Sequence, residues 1–135
     1  MGDRAVVTFH DGAEPEIRRF SPCVYLHWGG SSVAELLKKA VPHMRTEDVD
    51  YSAARFCGVC HNAYDGNAGL GVFDSPTDDV EARSAEFSHG DAGVFLVDTT
   101  TWLVEAVNGY GFANETQDED DGPTTFQLDA SKVAK

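Results

Sequence analysis

Two apolar, β-branched runs, Gly93-Val94-Phe95-Leu96-Val97-Asp98 and Trp102-Leu103-Val104-Glu105-Ala106-Val107, are separated only by Thr99-Thr100-Thr101. Segments of this length and composition with so short a connection fold back as an antiparallel hairpin. A lone hairpin is marginal in water, so further strands must pair with it. Arg4 to Phe9 alternates and is β-branched, with a turn at Asp11-Gly12, and Cys23-Val24-Tyr25-Leu26-His27-Trp28 is a second strand of mixed burial ending at Gly29-Gly30. Gly69 to Asp74 reads as another.

Helical signals lie between these strands. Ser32-Val33-Ala34-Glu35 has the spacing of a capping box, so a short helix is expected to start there, run through Leu36 and Leu37 and stop before Pro42. From about Asp50, Ala53, Phe56, Cys57, Cys60 and Tyr64 recur at three- and four-residue intervals, which predicts a second helix ended by Gly66 and Gly69. The order β-β-α-α-β-β-β predicts an α+β fold, a mostly antiparallel sheet with two short helices. Residues 1–108 form the expected single domain. Residues 109–135 are an acidic, polar C-terminal segment that either trails it or belongs to it.

Charge narrows the function. The chain of 135 residues carries a formal net charge of −13. Residues 1–67 hold seven Lys/Arg against nine Asp/Glu, whereas residues 68–135 hold three against fourteen, so the acidity belongs to the second half. An acidic surface repels phosphate backbones and anionic membranes, which argues against direct nucleic-acid binding and against a membrane partner. No stretch approaches the roughly 20 apolar residues that span a bilayer, and no secretory signal is visible, so the expected location is the cytoplasm. What remains open is an acidic face for a basic partner, or a local arginine pocket in an acidic protein.

Cys57-Gly58-Val59-Cys60-His61 has the C-x-x-C-H form and is similar to the haem-attachment signature of c-type cytochromes. No export signal accompanies it, no Met follows His61, and both cysteines fall on the apolar face of the expected helix, where a thiol packs as a small hydrophobe. Zinc held by Cys23, Cys57, Cys60 and His61 lacks a second ligand pair, and a thioredoxin-like role would need the motif at a helix N-terminus. No haem, metal or other cofactor is therefore expected. The five histidines fall in no nucleophile elbow or H-E-x-x-H pattern, and no phosphate loop is present, so an enzyme is not the expected class. Binding is better supported. Tyr25, His27 and Trp28 stand just before the Gly29-Gly30 turn and a helix N-terminus, where backbone amides favour an anion.

Gly2-Asp3-Arg4-Ala5-Val6-Val7, then Val24-Tyr25-Leu26-His27-Trp28-Gly29-Gly30, then Asp50-Tyr51 with Ala54-Arg55-Phe56-Cys57, then Gly93-Val94-Phe95-Leu96-Val97 resemble successive blocks of a family of small phage and prophage proteins. That family's pattern is G-N-R-A-V-I, V-Y-L-H-W-N-G-G-R-D, D-Y-x-x-A-R-L-C-Q-V-I-G-N-F-F and D-N-G-V-Y-I-I. It looks like the group that holds the sponge proteins which defeat Thoeris defence by sequestering cyclised ADP-ribose, some also binding cyclic oligonucleotides. The resemblance implies non-catalytic capture of a small nucleotide signal by a homo-oligomer in the host cytoplasm. The expected ligand-binding residues are Tyr25, His27, Trp28, Gly29, Gly30, Arg55 and Asn62. Aromatic rings would stack a base, Arg55 would meet phosphate and Asn62 ribose hydroxyls. The chain departs from the pattern at Ser31-Ser32, where the family has Arg-Asp, and it lacks the Asn before the glycines. Cys60-His61 falls where the family has Ile and Gly. The alternative expectation is an acidic inhibitor that covers the basic nucleic-acid groove of a host defence protein through Asp118, Glu119, Asp120 and Asp121.

Overall fold

A computed structural model describes residues 4–12, 18–27, 32–63, 69–73, 91–107, 109 and 124–133. The strands are β1 (Ala5–His10), β2 (Cys23–Leu26), β3 (Leu70–Phe73), β4 (Gly93–Asp98), β5 (Leu103–Val107) and β6 (Thr124–Gln127), and the helices α1 (Val33–Ala40) and α2 (Val49–Ala63). The strands form one sheet in the order β3-β2-β1-β4-β5-β6. All neighbours pair antiparallel except β1 with β4, which run parallel from Ala5 opposite Gly93 to His10 opposite Asp98. The fold is thus α+β with two helices, as the sequence predicts.

Helix α1 turns Val33, Ala34, Leu36, Leu37 and Ala40 inward and leaves Glu35 and Lys38 outside as an ion pair at 3.2 Å. The expected capping box does not form. Ser32 precedes the helix with φ −105° and ψ 8° and its side chain caps nothing, so burial of the apolar stripe rather than capping sustains this helix. It stops at Ala40 as expected, and a 3-10 turn at Val41–His43 takes up Pro42 near its start, where a missing N–H costs nothing. Helix α2 begins at Val49, and the Asp48 carboxylate accepts from the Tyr51 N–H at 3.3 Å. Its inward residues Val49, Ser52, Ala53, Phe56 and Cys60 follow the expected helical period; Tyr64 and Gly66 lie outside the described residues.

Both helices pack on the face of the sheet that carries Ala5, Val7, Phe9, Val24, Leu26, Phe95, Val97, Val104 and Ala106. The opposite face carries Val6, Val94 and Leu96, also buried, with Thr8 and Cys23. The sheet centre is therefore dry on both sides, and β1 buries all six residues. Gly93 marks the closest backbone approach: at φ +103°, a Cβ there would come within 2.3 Å of the Val107 carbonyl oxygen.

The sequence leaves open whether residues 109–135 trail the domain or belong to it, and it shows no strand there; in the structure β6 adds an edge strand to β5, and Leu128 and Val133 are buried in the core. Thr124-Thr125-Phe126-Gln127 is short and follows a dense acidic run, so its period was too brief to register beside the hairpin signal. No helix among the described residues is long and apolar enough to cross a membrane.

Candidate functional site: a cationic groove on helix α2

Arg55 and Asn62 lie seven residues apart on α2, two helical turns, and so share one face of it. With His43, Ala54, Gly58 and Val59 they line a groove of about 250 Å³. The 3-10 turn after α1 brings His43 to the groove, because α1 and α2 pack together on the sheet. Gly58 forms open floor, since a Cβ added there would meet nothing within 4 Å.

A cationic cluster stands beside this groove. The Arg55 guanidinium lies 4.8 Å from the Tyr51 ring centroid and donates a 2.8 Å hydrogen bond to the Tyr51 hydroxyl. Arg45 places its guanidinium 4.2 Å from the same ring. Arg45 is pinned there through its backbone: the buried Ser52 hydroxyl accepts from the Arg45 N–H at 3.3 Å and donates to the Arg45 carbonyl at 3.2 Å. Neither arginine has a carboxylate partner among the described residues, whose ion pairs are Arg4 with Asp91, Arg19 with Asp50 and Lys38 with Glu35. Two like charges gathered on one ring repel each other, and the ring's π-face offsets only part of that. A bound anion would remove the remainder and accept charge-assisted hydrogen bonds from both forks.

The other expected ligand residues are elsewhere. Tyr25 is opposite Val6 and Gly71 in the ladder, which puts it on the sheet face away from α2, and its hydroxyl lies 2.7 Å from His27 Nδ1. The sheet therefore separates Tyr25 and His27 from Arg55 and Asn62, so these four residues are not brought together. Trp28, Gly29 and Gly30, and the acidic run Asp118, Glu119, Asp120 and Asp121, lie outside the described residues. Sequence reasoning missed Arg45, His43 and Tyr51 as companions of Arg55. The Tyr51 and Arg55 spacing of four was a readable signal; the approach of Arg45 depends on the bend before α2.

The C-x-x-C-H residues diverge. Cys60 is in the core and burial pushes its thiol up to about 12, with Cys57 adding to the shift. Cys57 is half-buried, its thiol also raised by burial, and His61 is exposed. Among the described residues no three His, Cys, Asp or Glu side chains gather as a metal cage. Cys57 instead lines a larger apolar cleft of about 370 Å³ with Pro22, Val24, Ala53 and Val72, whose charged rim residue Asp50 is engaged by Arg19. Compared with known proteins, the chain matches no family model, no curated protein and no solved structure.

Proposed function

We propose that this protein captures a phosphate-bearing nucleotide signal without chemical turnover, through the groove on α2. The observation that carries this reading is the pair of arginines, Arg45 and Arg55, held on Tyr51 with no carboxylate partner among the described residues, in a chain of net charge −13. Asn62 and His43 add neutral and imidazole hydrogen-bonding groups along the groove, suited to ribose hydroxyls or a second phosphate oxygen. No carboxylate among the described residues lines the groove with His43, which favours binding over acid–base chemistry. The resemblance of the sequence blocks to phage and prophage proteins supplies the setting: an anti-defence homo-oligomer that sequesters an immune signal. Its base would not meet Tyr25 or His27, which lie across the sheet.

Isothermal titration of the full chain against cyclised ADP-ribose isomers, cyclic di- and trinucleotides and pyrophosphate tests this. At least one nucleotide should bind, and Arg45→Ala and Arg55→Ala should each weaken it by about tenfold or more, as expected for losing a hydrogen bond to a charged group. Gly58→Phe should abolish binding while leaving the fold intact, because the ring enters open groove and Phe is a better helix former than Gly. Heat-silent titrations with every compound would overturn the proposal.

A further inference from the structure

The groove on α2 has a neighbour. Ala54 lines both it and the larger apolar cleft of about 370 Å³, whose walls include Val24, Ala53, Cys57 and Val72 and whose rim carries Asp50. Resting on the nucleotide reading above, we propose that this cleft receives the base of the captured nucleotide, a purine with an exocyclic amino group, while its phosphates meet Arg55 across Ala54 and Gly58.

The two hollows lie on the same side of the sheet. Val24 belongs to the core face that α1 and α2 cover, and Val72 stands opposite Val24 in the ladder between β2 and β3. Along α2, Asp50, Ala54 and Gly58 follow at intervals of four and so share one face, with Cys57 to one side of it and Arg55 and Asn62 to the other. Small residues keep the ridge between the hollows low. Ala54 offers a single methyl group and Gly58 no side chain, and a Cβ at Gly58 would meet nothing within 4 Å. From Asp50 to Arg55 the helix advances about 7.5 Å and turns by about 140°, a span that one nucleotide covers from base edge to phosphate.

Size and lining divide the ligand between the hollows. Pockets for small molecules run from about 300 to 1,000 Å³, with mostly apolar walls and a few placed polar groups. The groove, at about 250 Å³, is below that range and carries His43, Arg55 and Asn62, whereas the cleft is within it and its walls are chiefly alkyl groups. Val72 is 60% exposed, more than any other large apolar side chain among the described residues, and a base packed on it would take that surface out of water. Burial raises the Cys57 thiol, so it stays protonated and presents sulfur without charge. The charged group among the described lining residues is the Asp50 carboxylate, which accepts hydrogen bonds and donates none. Its Oδ2 takes the Arg19 guanidinium, which leaves Oδ1 outside that bond at the rim. An amino group on the base edge is the complement of Oδ1. A plain aliphatic ligand would fill the cleft and leave Arg45 and Arg55 unanswered.

The test is a titration of the full chain with pyrophosphate, ADP and the dimethylamino analogue of ADP, whose base edge has no N–H, together with iodoacetamide alkylation of Cys57 read by mass spectrometry. Cys23 and Cys60 are fully buried, so Cys57 is the thiol open to the reagent. ADP should bind about tenfold or more tighter than pyrophosphate, because the base adds buried apolar area. It should also slow Cys57 alkylation in a saturable way that pyrophosphate does not reproduce. The dimethylamino analogue should bind about fivefold more weakly than ADP, and Asp50→Ala should remove that difference while pyrophosphate binds no more weakly. Equal binding of pyrophosphate and ADP, or ADP binding without protection of Cys57, would overturn the placement of the base and leave the arginine groove standing. An unchanged preference for ADP over the analogue in Asp50→Ala would overturn the role of the carboxylate. Silence from all three compounds would overturn this inference alone; the groove reading falls only if the cyclised nucleotides are silent too.

Discussion

The two faces of the sheet are both buried at their centres, yet they are built on different terms. The face beneath α1 and α2 carries a large apolar cluster, with Phe9 and Phe56 meeting edge to face at 5.9 Å between ring centres. The other face mixes Val6, Val94 and Leu96 with Thr8, His10, Asp98 and Glu105. Every buried polar side-chain atom among the described residues nonetheless has a hydrogen-bond partner. The Thr8 hydroxyl donates to the Ser21 carbonyl at 3.0 Å, and the Ser21 hydroxyl accepts from the Phe9 N–H at 3.0 Å. The first face gains its stability from packing volume, whereas the second trades some of that for directional groups that can meet a solute. The grooves follow the same division. The helices that seal the first face turn their outer surface into the arginine groove, and the second face carries its own cleft where the apolar centre gives out.

The comparison can be broken most severely on the first face. Phe56→Ala should cost about 3 to 5 kcal/mol in urea unfolding, because it opens a large cavity against Phe9 that the core cannot refill. Thr8→Val on the second face should cost about 1 to 3 kcal/mol, since the volume is kept but the Ser21 carbonyl and hydroxyl lose a buried partner. Equal losses would show that the two faces are not stabilised differently.

Acid should discriminate the faces next. Burial draws the His10 pKa below its ordinary value; nearby Asp98 works against this, Arg18 with it and Asp11 against it, and Glu105 lines the same cleft. The unfolded chain takes up that proton near pH 6.5 and the native chain only at lower pH, so between the two values the unfolded state binds more protons. Stability should therefore fall as pH drops below about 6.5, and His10→Gln should flatten that part of the profile in pH-dependent thermal melts. A profile of unchanged slope in His10→Gln would assign the acid loss to other groups.

The smallest effect is expected at the rim of the apolar cleft. Arg19 and Asp50 form an ion pair whose side chains are 68% and 52% exposed, so Arg19→Ala should change unfolding free energy by less than about 1 kcal/mol. A larger loss would mean that this pair holds the segment before β2 against α2 instead of decorating them.

Much of the fold was legible because its signals are local. The period of Val33 to Ala40 and of Val49 to Cys60 fixes which side of each helix is buried, and the Gly93 to Val107 pattern fixes a hairpin within about one residue of its observed ends. Strand β6 was missed because four residues after an acidic run carry too little period to read, and its placement comes from pairing with β5. The site was half legible. Arg55 and Asn62 share a helix face by spacing alone, but grouping them with Tyr25 and His27 treated nearness in the sequence blocks as nearness in space. The ladder between β1 and β2 puts Tyr25 on the far face, and alternation within a strand cannot say which face a helix will cover.

What the sequence by itself determined is therefore the set of elements, their inward stripes and the residue types on α2, since these depend on interactions within a few turns or strand steps. The parallel pairing of β1 with β4 across nearly ninety residues, the meeting of Arg45 with Arg55 on Tyr51, and the gathering of His10 with Asp98 were decided only by the tertiary structure. Each needs segments distant in the chain to be buried against one another, and hydrophobic burial, being non-directional, favours many such pairings until packing and hydrogen bonding select one.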